Sequence, residues 1–217
     1  MDKDSVLRRL KDDVIRFDHD DIREAASLAT EAGIEPQRAI NEALLKGLEE
    51  VDRRYRNDEY FLPDLIMASE AMNEAVKTLF KGLKENPGLG SDAVLATVKG
   101  DIHDIGKNIL AGLLRGSGVS VYDLGVDVAE EEITSAVEKH RPRVLCLSAM
   151  LSTTREEIKS VIKELERKGF RKEVKIIIGG ASTGRVFASL AGADAYAEDA
   201  LIGAAIVRDW INGKKKQ

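Results

Sequence analysis

What most constrains the fold of this chain is an alternation in its second part. Residues 93–98 (AVLATV), 119–122 (VSVY), 144–148 (VLCLS) and 174–178 (VKIII) are short, nearly continuous apolar runs, with 195–197 (AYA) a weaker fifth. Helical segments separate them: residues 108–116, 130–139, 155–168 and 184–191, with a last helix over about 200–211. Runs without polar alternation suit strands buried on both faces, which predicts a five-stranded parallel sheet covered by helices on each side. The flavodoxin-like doubly wound order 2-1-3-4-5 is the default at this size. Thr153 with Glu156, or Thr154 with Glu157, has capping-box spacing at the start of the third helix.

The chain changes character near Asn86-Pro87-Gly88-Leu89-Gly90-Ser91, and before that point apolar residues recur only at helical spacing. Val6, Leu7, Leu10, Val14 and Ile15 mark one helix; Ile22, Ala25, Ala26, Leu28 and Ala29 mark a second that Gly33 stops. Pro36 opens a third, running through Ala39, Ile40, Ala43, Leu44, Leu48 and Val51. A fourth starts near Pro63, with Leu65, Ile66, Met67, Met72, Val76, Leu79 and Leu83 as its apolar positions. The expected organisation is a four-helix bundle over 1–85, a linker over 86–91 and an α/β domain over 92–217.

Charge and composition narrow the function classes. With 33 basic against 38 acidic residues and a net charge of −5, the chain lacks the basic excess that nucleic-acid binding needs. No run reaches the roughly 18 apolar residues of a membrane span, and the amino terminus, MDKDSVLRRLKDD, is too charged for a signal peptide. The single Cys146 rules out an internal disulfide or a thiolate cluster, fits a reducing cytoplasm, and reads as inert core.

In a doubly wound sheet, ligands bind beyond the carboxyl ends of strands 1 and 3, which directs attention to residues 99–108 and 148–154. The first loop reads Gly100-Asp101-Ile102-His103-Asp104-Ile105-Gly106-Lys107-Asn108. It is not a nucleotide P-loop: five residues rather than four separate the glycines, and asparagine replaces the magnesium-binding hydroxyl. It does hold a histidine between two aspartates. A carboxylate on one imidazole nitrogen leaves the other as an oriented metal ligand; the alternative is a histidine satisfied by a helix-capping aspartate. His19 and His140 sit in charged helical contexts and carry the structural reading. One histidine cannot build a zinc site, so a metal at His103 would need its remaining ligands from a macrocycle such as haem or a corrin.

Asp101-x-His103-x-x-Gly106, then 41 residues (107–147), Ser148-Ala149-Met150, then 28 residues (151–178), and Gly179-Gly180 resembles the D-x-H-x-x-G, S-x-L and GG signature of cobalamin-binding domains. Met150 stands where leucine is usual, a replacement of similar size. Tyr60-Phe61-Leu62-Pro63-Asp64-Leu65-Ile66-Met67-Ala68-Ser69-Glu70-Ala71-Met72 looks like the helical cap before that domain in methyl-carrying corrinoid proteins, and residues 123–128 (DLGVDV) look like the family's second-strand exit. The resemblance covers nearly the whole chain. It is to the corrinoid methyl carriers of methanol- and methylamine-type methyltransferase systems, and to the cap and B12-binding domains of cobalamin-dependent methionine synthase.

The resemblance implies a cobalamin or related corrinoid bound with its nucleotide tail displaced from cobalt and buried in the sheet domain. His103 then becomes the lower axial cobalt ligand, Asp101 holds its distal nitrogen, and Thr154 extends the relay, with Ser152 a competitor. Ile102, Asp104, Ile105, Gly106, Met150 and Leu151 join the binding loops. Ser148 faces the nucleotide tail, and Gly179 and Gly180 leave room for it. Gly112 and the 116–118 segment either widen that channel or form a turn. Phe61, Leu65, Met67 and Met72 are candidates to cover the upper face, or else bundle core. The implied function is a non-autonomous methyl carrier. Its partners are a substrate:corrinoid methyltransferase, a second methyltransferase acting on tetrahydrofolate or coenzyme M, and a reductive activase. The alternatives are a subunit of an adenosylcobalamin-dependent mutase and a cobalamin-based sensor.

Overall fold

The structure is a computed structural model describing residues 2–81 and 90–213. Leu83, most of the 86–91 linker and the lysine tail lie outside the described residues. The chain divides into two compact units, Met1–Gly82 and Leu83–Gln217.

In the first unit, α1 (Lys3–Arg16) buries Val6, Leu7, Leu10, Val14 and Ile15, the stripe its spacing predicts. Asp18 caps α2 (His19–Glu31) by accepting the Asp21 N–H at 3.0 Å. The helix opened by Pro36 has a composition that spacing alone conceals. It runs as α3 (Pro36–Ala39), a π turn (Ile40–Leu44) and α4 (Leu45–Arg56). Here α4 passes close to α1: a Cβ on Gly47 would stand 2.8 Å from the Val14 Cβ. The last cap helix, α5 (Leu62–Leu79), is closed at its start by the Asp64 carboxylate, which accepts the Phe61 N–H at 2.7 Å. Helices α1 and α5 each pack against α2 and α4.

The second unit is the doubly wound sheet. Strands β1 (Ala93–Thr97), β2 (Val121–Asp123), β3 (Val144–Ser148), β4 (Lys175–Gly179) and β5 (Ala195–Ala197) are parallel, in the order β2-β1-β3-β4-β5. Alternate residues of each strand feed opposite cores. Val94, Ala96, Leu145, Leu147, Ile176 and Ile178 pack under α7 (Glu130–His140), α8 (Glu156–Arg167) and α9 (Arg185–Ala191). On the other face, Ala93, Leu95, Val144, Cys146 and Ile177 meet α6 (Ile105–Gly116) and α10 (Ala200–Gly213). Cys146 is buried as expected, and burial pushes its thiol far above the usual range.

Two local expectations need correction, and one open alternative is decided. Helix α6 starts at Ile105, so Asp104, Ile105, Gly106 and Lys107 belong to its cap and first turn instead of an open loop. Neither threonine makes the capping box of α8, whose N-cap is Arg155 without a side-chain cap. The Thr154 hydroxyl is engaged by Asp101 instead. Gly116 ends α6 and Gly118 takes φ 79 just past it, so the segment follows its turn alternative at residues 117–118. Among the described residues no helix is long and apolar enough to cross a membrane.

Candidate functional site

The register aligns the separated motifs. Thr97 pairs with Ser148, Ser148 with Gly179, and Gly179 with Ala197, so one row crosses the carboxyl edge of four strands. From that row the β1 exit turns through Gly100, at φ 77, into Asp101.

Asp101 is fully buried and is the hub of the site. Its Oδ1 accepts the His103 Nδ1–H at 2.7 Å and the His103 backbone N–H at 3.1 Å. Its Oδ2 accepts the Thr154 hydroxyl at 2.6 Å and the N–H groups of Met150 and Leu151 at 2.7 and 3.3 Å. Burial works to raise this carboxyl, but the bonds from Thr154, Met150 and His103 outweigh it and hold it down at about 2. An ionised Asp101 fixes the tautomer: the proton sits on Nδ1, and the Nε2 lone pair is the one left for a ligand. The His103 side chain is half exposed, so that lone pair is reachable. Of the two hydroxyls proposed for the relay, Thr154 is on Asp101 whereas Ser152 is exposed.

Around His103 the strand exits expose several apolar side chains among polar ones such as Ser152 and Asp127. Ile102 is 72% exposed, and Met150, Leu151 and Val126 also lie open, on the exits of β1, β3 and β2. Such a cluster of exposed apolar side chains at the ligand edge of a sheet suits a flat, largely apolar ligand. Val126 escaped the sequence reading, although the DLGVDV segment containing it was the available signal. Thr97 was missed too; it is fully buried, with its hydroxyl donating to the His103 carbonyl at 3.3 Å.

The two glycines after β4 have different reasons to be glycine. A Cβ on Gly180 would fall 2.2 Å from the Ala149 carbonyl oxygen, and its φ is 107. A Cβ on Gly179 would meet only the Ala197 carbonyl oxygen, at an ordinary 3.5 Å. Gly180 thus answers to the β3 exit, while Gly179 leaves space beside Ser148. Phe61 (66%), the N-cap of α5, and Met67 (42%) are exposed and Leu65 is half-buried, whereas Met72 is fully buried with Ala68, Ala71 and Ala75 and takes its core alternative. His140 is also buried, its ring against Tyr122 and its Nδ1 3.4 Å from Ser91 Oγ.

The family described as B12 binding domain matches residues 91–205, and a second B12 binding domain family matches residues 6–79. The chain belongs to the B12-binding family. A trimethylamine corrinoid protein of Methanosarcina barkeri is 34% identical to it over 214 residues, 97% of this chain and 98% of the relative. A dimethylamine corrinoid protein of the same organism is 35% identical, over 92% and 94%. Among solved structures, the Methanosarcina barkeri monomethylamine corrinoid protein has a TM-score of 0.79 at 29% identity, over 94% of this chain and 98% of that one.

The cofactor of this B12-binding chain is a cobalamin or a related corrinoid, and the residues present fit it. Among the described residues no group of three or more His, Cys, Asp or Glu side chains converges on a metal position. A metal at His103 must therefore bring its other ligands with it, as a corrin does. The single oriented imidazole nitrogen, the apolar collar and the open face at Gly179 are what such a ligand requires of its protein.

Proposed function

We propose that this chain carries a methyl group on a bound corrinoid between two partner enzymes, with His103 as the lower axial ligand through Nε2. The observation that carries the reading is the continuous relay from His103 Nδ1 through Asp101 to the Thr154 hydroxyl. Relatives named for trimethylamine and dimethylamine over nearly the full chain support it. Bound here, the corrinoid supplies a cobalt centre that accepts and gives up a methyl group.

The chain's own part is to hold and release one imidazole. Holding a metal, His103 would keep its proton on Nδ1, donated to Asp101 Oδ1, and offer Nε2 as a neutral donor. Without a metal on it, Nε2 would be open to a proton, and the Asp101 carboxylate on Nδ1 would balance an imidazolium charge. Ligation and protonation thus compete for one nitrogen. In the first unit, Phe61 at the N-cap of α5, with Leu65 and Met67 on that helix, offers apolar surface of the kind that shields a reactive group from water. A substrate:corrinoid methyltransferase loads the methyl group, from methanol, a methylamine, a betaine or a methoxylated aromatic. A second methyltransferase passes it to tetrahydrofolate or coenzyme M, and a reductive activase restores inactive cofactor, all in the cytoplasm.

The test is to load the protein with methylcobalamin and follow methyl transfer to tetrahydrofolate or coenzyme M with each candidate partner. The absorption spectra of wild type and His103→Ala are compared alongside. Transfer by the wild type and an unligated spectrum for the variant are expected. Identical spectra would remove His103 as ligand; selective uptake of adenosylcobalamin with no methyl transfer would overturn the carrier reading.

A further inference from the structure

The loop that presents His103 is tied down by groups that make no part of the relay. Asp127, on the β2 exit, accepts the Gly100 N–H through its Oδ1 at 2.6 Å, and its own N–H donates to the Asp101 carbonyl at 2.9 Å. It adopts φ 52 to do so, a conformation uncommon for a residue with a side chain, though aspartate tolerates it better than most. Four residues earlier, Asp123 receives the Lys107 ammonium on both carboxylate oxygens, at 2.8 and 2.7 Å. That lysine is 4% exposed, lies in the first turns of α6, and also donates to the Asn108 side chain at 2.9 Å. Asp123 Oδ1 in turn accepts the Gly125 N–H at 2.9 Å. The two aspartates therefore bracket the histidine loop. One grips the backbone before His103, and the other grips the helix that follows it.

From this geometry we infer that the β2 exit, residues 123–127, is a positioning element that aims His103 at the corrinoid, acting through Gly100 and Lys107 without touching the cofactor. An imidazole on an untethered loop would have to lose backbone freedom each time it ligated; a loop already held has lost it beforehand. The inference rests on the reading that His103 is the axial ligand, and the experiment separates the two.

The decisive variant is Asp127→Gly. Glycine takes the positive φ without strain and keeps the backbone N–H, so only the carboxylate acceptor is lost; Asp127→Asn keeps an acceptor oxygen and tolerates the same φ. Each protein is loaded with cob(II)alamin, whose electron paramagnetic resonance spectrum is split by an axial nitrogen. The ratio of ligated to unligated cofactor is then read at fixed pH. Wild type should be ligated and His103→Ala unligated; if those two agree, the ligand reading fails. Given that difference, Asp127→Gly should lower the ratio about tenfold, the equivalent of one charge-assisted hydrogen bond, and Asp127→Asn should restore most of it. A second variant, Lys107→Met with Asp123→Leu, replaces the buried pair by apolar side chains that keep the domain folded, and should lower the ratio again. Wild-type ratios in both Asp127→Gly and the double variant, with cofactor fully bound, would overturn the inference.

Discussion

Replacing the two adjacent glycines after β4 one at a time should have opposite consequences. In Gly180→Ala the new methyl meets a backbone carbonyl oxygen at 2.2 Å, and the residue sits at φ 107. The left-handed conformation alone costs about 1–2 kcal/mol with a side chain present, and relieving the collision by moving backbone adds about 2–3 kcal/mol. A total of about 3–5 kcal/mol corresponds to a drop of roughly 10–15 °C in the melting temperature of a unit this size. The oxygen that must move belongs to Ala149, whose neighbour Met150 donates its N–H to Asp101. In Gly179→Ala, by contrast, the methyl finds only an ordinary 3.5 Å contact. The apo protein should therefore melt within about 2 °C of wild type. The loss should instead appear in corrinoid binding, because the methyl occupies space beside Ser148. Thermal unfolding of both apo variants and titration of Gly179→Ala with methylcobalamin make the comparison. A Gly180→Ala protein as stable as wild type, or a Gly179→Ala apo protein destabilised as much as Gly180→Ala, would refute this division of roles.

Three further outcomes follow from individual side chains. Thr154→Val keeps volume but removes the hydroxyl from Asp101 Oδ2, and should cost about 1–3 kcal/mol in urea unfolding of the apo protein. Asp194 is held below the usual carboxylate range: burial raises it, but hydrogen bonds from Lys175 and the Ile176 N–H, with the charges of Arg171 and Lys175, prevail. Its folded value lies below its unfolded one, so its stabilisation is present above the unfolded carboxylate range and is lost as pH falls through the folded one. Asp194→Asn should therefore flatten the acid limb of a stability-against-pH curve relative to wild type. Cys146, buried with its thiol pushed far up, should resist thiol reagents in the native protein and react only at the rate of unfolding; rapid native modification would show that strand β3 opens locally.

The sheet was legible because each β-strand carries its own signal. Buried on both faces, residues 93–98 and 174–178 read as near-continuous apolar runs, and their alternation with helical segments leaves few topologies open. Asp101 and His103 were legible because their motif falls at a strand end, whereas Thr154 entered only through the family resemblance, with Ser152 as a competitor. Long-range geometry was not. The π turn at Ile40–Leu44 sits within apolar positions spaced as in any α-helix, so nothing local reveals it. Thr154 with Glu157 has the spacing of a cap, yet the hydroxyl bonds Asp101, 53 residues away in sequence, in preference to its own helix. Met72 and Met67 have the same chemistry and lie on one helix, but only burial separates them. Asp123, Asp127 and Lys107 look like ordinary surface charges until the β2 exit is folded against the β1 exit.

The three motif elements act in series. The absence of a side chain at Gly180 lets the β4 exit approach the Ala149 carbonyl. That approach sets the backbone which delivers the Met150 and Leu151 N–H groups to Asp101 Oδ2. With Oδ2 occupied by those donors and Thr154, Oδ1 is left for His103, and the carboxyl stays ionised while fully buried. The charge on Asp101 then selects the Nδ1–H tautomer and turns Nε2 outward. Gly180 thus helps to orient the histidine, although 73 residues (107–179) separate it from Gly106. A substitution at Gly180 should consequently weaken axial ligation even in those molecules that remain folded, a coupling that a mere space-making role for both glycines does not require.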